Sequence, residues 1–156
     1  MKIYVASSWR NQEQPTIVRW LRACGQDVYD FKNPPGGTGF GWHQTTLGKP
    51  ENPSELVQSL LDRRCEAGFA EDMGALAACD ICILVFPAGI SASLELGWAC
   101  GAGKKTVVYI PDEAYVGTDR HFEPELMWKM ADHLVTAFPD LVAVVAPMIE
   151  AEVSIG

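Results

Sequence analysis

The chain opens on an apolar run, KIYVA at 2–6, that reads as a short buried strand. Apolar residues then recur near helical spacing at Ile17, Val18, Leu21 and Cys24, predicting a helix over 11–24 that Gly25 ends. DVYDF at 27–31 predicts a second strand. Ser54 is placed to cap a helix from 55 to about 66, Gly68 to break it, and a second helix over 69–78 leads into ICILVF at 81–86. That unbroken apolar run fits a central strand covered on both faces. Pro87-Ala88-Gly89 turns the chain into a helix at about 91–102, and TVVYI at 106–110 is the next apolar strand. A loop containing Pro111, Gly117 and Pro124 precedes a short helix at 124–131. A last strand follows over 134–138, then a final helix over 139–151, although the LVAVV within it also fits a strand.

Strands that alternate with helices imply a parallel sheet with right-handed crossovers. The expectation is a single α/β domain over 1–156, a flavodoxin-like or Rossmann-like three-layer sandwich around a five-stranded parallel sheet. In such sheets ligands bind beyond the carboxyl ends of the strands. Here those ends carry residues 7–10, the 33–53 loop, 87–95 and 111–120. The 33–53 loop has four prolines, five glycines and few aliphatic residues, yet it holds Phe40, Trp42 and His43. A connection of that length in a compact domain is usually functional, so it is expected to be an active-site loop.

Composition narrows the function classes. Twelve basic against twenty acidic side chains give a net charge of −8, which argues against long nucleic acid as a partner. A small anion is not excluded, because helix N-termini bind phosphate through backbone N–H groups. MKIYVASSW is too short an apolar run for a secretory signal, and the most apolar stretch is interrupted by Asp80, Pro87 and Glu95. The expectation is a cytoplasmic protein that does not engage a membrane. Five scattered cysteines fit free thiols. Cys79 and Cys82 form a lone C-x-x-C without a second pair or neighbouring histidine, so packing is favoured over a redox or zinc role; no metal and no cofactor are expected.

One residue needs a chemical explanation. Glu95 is the only charged side chain between Asp80 and Lys104, in a helix that is apolar nearly all round and is therefore expected to be buried. Burying a carboxylate without partners costs several kcal/mol, on the order of the ion-pair desolvation penalty. It falls in the first turns of a helix that starts at a strand end, where the helix dipole is expected to favour the ionised form. An ionised, fixed carboxylate suits the nucleophile of a glycosyl transfer. The plainer alternative, a glutamate that merely suits the dipole, predicts a polar helix face that the sequence lacks.

Other candidates carry two readings each. Asp72, in FAEDMGALAACD, is either a second site carboxylate or a solvent-facing residue, and Asp80 is read as structural. Tyr4 either aims its hydroxyl at the strand ends or packs in the core. Arg10 either meets a phosphate or carboxylate or lies on the surface. Trp9, Phe40 and Trp42 either stack on a planar base or pack a lid, and His43 is a candidate acid or substrate contact. PPGGTG at 34–39 is similar to a phosphate loop but is followed by more loop rather than a helix.

With Tyr4, Asp72 and SASLELGWA in view, the chain resembles the nucleoside 2-deoxyribosyltransferase superfamily over most of its length. The shared elements are IYVASSW at the first strand, AEDM with its aspartate, GISASLELGWA at the third strand's turn and GAGKKTVVYI before the next strand. The resemblance implies that Glu95 is the nucleophile, that Tyr4 hydrogen-bonds and orients it, and that Asp72 contacts substrate. It implies a small nucleoside or nucleotide as ligand, and homodimers or higher oligomers whose sites a neighbouring chain completes. Where transferases of the family carry an aspartate six residues before the nucleophile, this chain has Gly89, and where they have glycines it has Ser91 and Ser93. The deoxynucleoside 5′-monophosphate N-hydrolase-like branch places a serine and an arginine after the first strand, near the phosphate, and Ser8 and Arg10 match those places. The expected activity is cleavage of an N-glycosidic bond, with the sugar passed to another base or to water. The alternatives are hydrolysis of a 5′-monophosphate and, in a different class, a catalytically silent nucleotide-binding or sensor domain. Ser8, Trp9, Arg10, Trp42, His43, Gly89, Ser91 and Ser93 are the expected substrate contacts.

Overall fold

A computed structural model describes residues 1–48, 50–112 and 125–153. The elements run β1 (Lys2–Ser7), α1 (Gln14–Ala23), β2 (Asp27–Tyr29), α2 (Pro53–Leu60), α3 (Arg63–Ala78), β3 (Ile81–Val85), α4 (Ile90–Gly101), β4 (Lys105–Tyr109), β5 (His133–Val135) and α5 (Phe138–Val153). Short 3-10 turns occur at Trp42–Gln44 and Leu126–Met130. The five strands pair in parallel in the order β2-β1-β3-β4-β5. This is the flavodoxin-like α/β arrangement that the alternating pattern predicts.

The pleat divides the core into two. Ile3, Val5, Ile83 and Val107 point to one face and pack on α1 and α5 through Ile17, Leu21, Leu141 and Val145. Tyr4, Ala6, Cys82 and Leu84 point to the other face, under Leu76 of α3 and Ala92, Leu96 and Ala99 of α4. β3 is buried along its whole length, as its apolar sequence requires.

Several boundaries differ from the sequence expectation, each for a local reason. α1 starts at Gln14 rather than 11, because the Asn11 Oδ1 accepts from the N–H groups of Glu13 (2.7 Å) and Gln14 (3.2 Å) and replaces the first turn. β2 stops at Tyr29, where the Asp30 carboxylate turns the chain by accepting from Gln14 Nε2, the Lys32 N–H and Asn33 Nδ2. Asn52, not Ser54, caps α2, since Pro53 has no N–H to satisfy in the first turn; its Oδ1 accepts from the Glu55 N–H at 3.0 Å. α2 ends at Leu60 and α3 begins after Asp62, whose Oδ1 accepts from the Arg64 N–H at 2.9 Å. Gly68 therefore lies inside α3 and breaks nothing. Its missing side chain makes room for Phe40, whose Cβ would stand 2.8 Å from any Cβ placed there. LVAVV is helical, within α5. Gly117 and Pro124 of the predicted loop, and positions 113–120 of the predicted strand-end segment, lie outside the described residues.

The expectation that α4 is wholly buried does not hold. Ala92, Leu96 and Ala99 pack on the sheet, while Ile90 is 85% exposed and Leu94 69% exposed. The helix is apolar all round, but the described residues cover only one side of it.

Candidate functional site

The site is assembled by strand register. Tyr4 of β1 is paired with Tyr29 of β2, so the two side chains leave the sheet on the same face. Their rings stack with centroids 5.4 Å apart and planes 17° from parallel. α3 brings Asp72 to the end of these rings, and the Tyr29 hydroxyl donates to Asp72 Oδ1 at 2.7 Å. α4 brings Glu95 to the same group, close enough for the charges of Glu95 and Asp72 to act on Tyr4 and for that of Asp72 to act on Glu95. The Tyr4 hydroxyl is buried and makes no hydrogen bond among the described residues. It nonetheless lowers the proton affinity of Glu95. The two observations agree if the hydroxyl dipole points at the carboxyl without having closed to normal bonding geometry.

Two half-buried carboxyls and two phenols stand within reach of one another's charges. Burial, and then the charge of Asp72, push the Glu95 carboxyl from 4.5 to about 7, against the opposing pull of Tyr4. The expected stabilisation of ionised Glu95 by the helix dipole therefore does not prevail. The reason is position: α4 starts at Ile90, which places Glu95 in the second turn, past the free N–H groups. Burial also raises Asp72, helped by Glu71, while the Tyr29 hydrogen bond opposes the rise. Burial and the adjacent carboxylates push the hydroxyls of Tyr4 and Tyr29 above their ordinary values. Beside Tyr4, on the neighbouring strand β3, buried Cys82 is likewise pushed up by burial and held as a neutral thiol.

The remaining predicted contacts divide into three places. Ser8, Arg10 and Gly89 gather at the adjacent ends of β1 and β3. The Ser8 N–H donates to the Pro87 carbonyl at 3.3 Å, the Arg10 N–H donates to Ser8 Oγ at 3.2 Å, and Gly89 precedes the first residue of α4. Two side chains lock this corner: Ser7 Oγ donates to the Val85 carbonyl at 2.7 Å, and Asn11 Nδ2 donates to the carbonyls of Val85 and Pro87. Ser91 is four residues before Glu95 and shares its side of α4, whereas Ser93 faces the opposite flank. There Ser93 and Gly89 line an apolar cavity of about 700 Å³ with Phe86, Leu96 and Trp128. Glu95 does not line that cavity. Among the described residues the cavity wall carries one titratable side chain, Glu125.

The third place is the 33–53 loop. Trp9 is half exposed and packs edge-on against Phe31 at 5.3 Å, with Gly39 against its ring. Trp42 and His43 are exposed, and their contacts are local: Trp42 meets the Phe40 ring at 5.2 Å and the His43 imidazole folds over Gly41. The loop is nevertheless fixed to α3. Thr46 donates through both N–H and hydroxyl to Asp62 Oδ2, each at 2.8 Å, and Arg64 donates to the Gln44 carbonyl. The hydrogen bonds from Thr46 and the Arg64 N–H hold the Asp62 carboxyl at about 2. Phe40 packs on Gly68, one helical turn before Asp72 on the same side of α3.

Sequence reasoning missed Tyr29 and Asn11. The signal for Tyr29 is partial: alternation puts it on the face opposite Val28, but the register that pairs it with Tyr4 comes only from the strand pairing. Asn11 carried no such signal, since its role depends on two carbonyls 74 and 76 residues away. Among the described residues no group of three or more His, Cys, Asp or Glu side chains converges as a metal site, and no helix is long and apolar enough to cross a membrane. All five cysteines are free thiols.

No protein-family model matches the chain, and no curated protein matches it in sequence. Among solved structures it is similar to a Clostridium botulinum CMP N-glycosidase, BcmB. The two share 13% sequence identity over 86% of this chain and 88% of that one, with a TM-score of 0.47.

Proposed function

We propose that this protein cleaves the N-glycosidic bond of a nucleoside or nucleotide, with Glu95 as nucleophile. The observation that carries the proposal is the cluster of half-buried Glu95 and Asp72 with the buried, unpartnered Tyr4 hydroxyl. In the first step a Glu95 oxygen bonds to the anomeric carbon as the bond to the base nitrogen breaks, giving a glycosyl ester. In the second step water or another base attacks that carbon and frees the carboxylate. Tyr4 lies where it can donate to the ionised carboxylate and steady it before attack. In this reading Asp72 accepts from a sugar hydroxyl, and aromatic residues of the 33–53 loop cover the ring and base.

The 5′-monophosphate reading is favoured over base exchange by one arrangement. The Ser8–Pro87 hydrogen bond sets Ser8 and Arg10 beside the turn that starts α4. A phosphate there would meet a hydroxyl, a guanidinium and the free N–H groups of a twelve-residue helix. At the position where an acid would protonate a departing base for exchange, the chain has Gly89. The test is a panel of nucleosides and their 5′-monophosphates, with and without an acceptor base, read by chromatography of released bases. Release from monophosphates without an acceptor supports hydrolysis, and exchange on nucleosides supports transfer. Turnover on neither leaves the sensor reading in possession.

The uncovered side of α4 supports the expectation of a second copy. Ile90, Leu94 and Trp98 form a stripe four residues apart, and Leu126 (75% exposed) and Met127 extend it. Leu94→Asp is expected to convert a dimer to monomers in sedimentation or light-scattering measurements. A native chain that is monomeric at micromolar concentration refutes this part of the proposal.

A further inference from the structure

We propose that Tyr29 is a positioning residue: stacked on Tyr4, it holds Asp72 by Oδ1 as an ionised acceptor and leaves Oδ2 free for a hydroxyl of the ligand. The inference rests on the glycosidic reading above, and it adds a residue, Tyr29, that the reading does not contain.

The geometry leaves Tyr29 little choice. Strand register and the 5.4 Å ring stack fix the direction of its phenol. The 2.7 Å contact to Oδ1 is an ordinary O–H···O distance. A phenol has one proton to give, and it gives it best to a carboxylate, which only accepts. The bond is thus stronger to ionised Asp72 than to its acid form. Asp72 Oδ2 makes no hydrogen bond among the described residues. Of the two stacked phenols, one is committed to Asp72 and the other, Tyr4, is unpartnered beside Glu95. The pair therefore serves the two carboxyls separately.

The titratable groups around Asp72 make this matter. Glu95 faces it from α4, Glu71 adjoins it on α3, Tyr29 and Tyr4 face it from β2 and β1, and Cys82 lies behind Tyr4 on β3. Burial raises both carboxyls, and the charge of Asp72 adds to the rise at Glu95. The Tyr29 bond opposes the rise at Asp72. The reactive form has both carboxyls ionised: Glu95 to attack the anomeric carbon, and Asp72 to accept from a neighbouring sugar hydroxyl. The ligand class this selects is a glycoside with a free hydroxyl near the anomeric centre.

Tyr29→Phe keeps the ring and the stack and removes only the donor. On the best substrate of the panel, the acidic limb of kcat/KM is expected to move to higher pH. The loss should be about tenfold at pH 6, the scale of one hydrogen bond to a charged group, and recover to within about twofold at pH 9. A loss equal at every pH, or an unmoved limb, overturns the proposal, since a merely structural role would give either. A second measurement does not need turnover. Carboxyl carbon NMR of labelled protein should show the Asp72 titration at higher pH in Tyr29→Phe than in the native chain, with matching thermal unfolding as the check on folding. An unchanged Asp72 titration overturns the role of Tyr29. A native chain inert on the whole panel overturns the glycosidic reading, while the NMR comparison still decides Tyr29.

Discussion

Glu95→Gln is expected to abolish base release and, above neutral pH, to make the protein more stable. The first effect follows from removing the nucleophile, which lowers such rates on the order of 10⁴-fold or more. The second follows from burial. A carboxyl whose folded value is raised from 4.5 to about 7 contributes its stability below 4.5 and loses it as pH rises through 7. At pH 8 the ionised side chain costs on the order of 3 kcal/mol relative to its neutral form. Glutamine carries no such cost, so Tm at pH 8 should rise by about 6–12 °C. At pH 4 the native and variant proteins should melt together. Thermal unfolding at the two pH values, beside the chromatographic assay, checks both parts. If Tm does not rise at pH 8, Glu95 is not a strained buried charge, and the mechanism loses its basis.

Asp72→Asn is expected to move the acidic limb of the activity profile to lower pH, the reverse of Tyr29→Phe. Asp72 is the charge that, after burial, keeps Glu95 protonated near 7. An amide of the same shape removes the repulsion, so Glu95 ionises earlier. The rate at pH 8 should still fall by about 10²-fold, because an amide presents the substrate hydroxyl with a weaker acceptor. A pH series of kcat/KM measures both effects. An acidic limb that stays near 7 in Asp72→Asn would mean that the two carboxyls do not share a site.

Much of this arrangement is legible in the sequence, and what escaped does so for identifiable reasons. Alternation puts Tyr4 and Cys82 on one face of the sheet, and the isolation of Glu95 in an apolar helix marks it as unusual. The same apolarity misleads about α4, because a helix that is greasy all round reads identically whether its own chain or another chain covers the outer side. Gly68 reads as a helix breaker from composition, yet it is the notch that receives Phe40, a contact 28 residues away that no local pattern encodes. The ionisation of Glu95 escapes as well. Burial is the largest cause of its raised value and the charge of Asp72 on α3, 23 residues away, is the next, and no pattern local to α4 encodes either.

The ties between the 33–53 segment and α3 bear on how a ligand enters. Thr46 is clamped to Asp62, Arg64 grips Gln44, and Phe40 is seated on Gly68, so the covering segment and the helix that bears Asp72 form one mechanical body. A flap hinged on its own would admit a guest without disturbing the acid beneath it. In the proposed enzyme, displacing this segment to admit a ligand is expected to load α3 as well, at Asp62, Arg64 and Gly68.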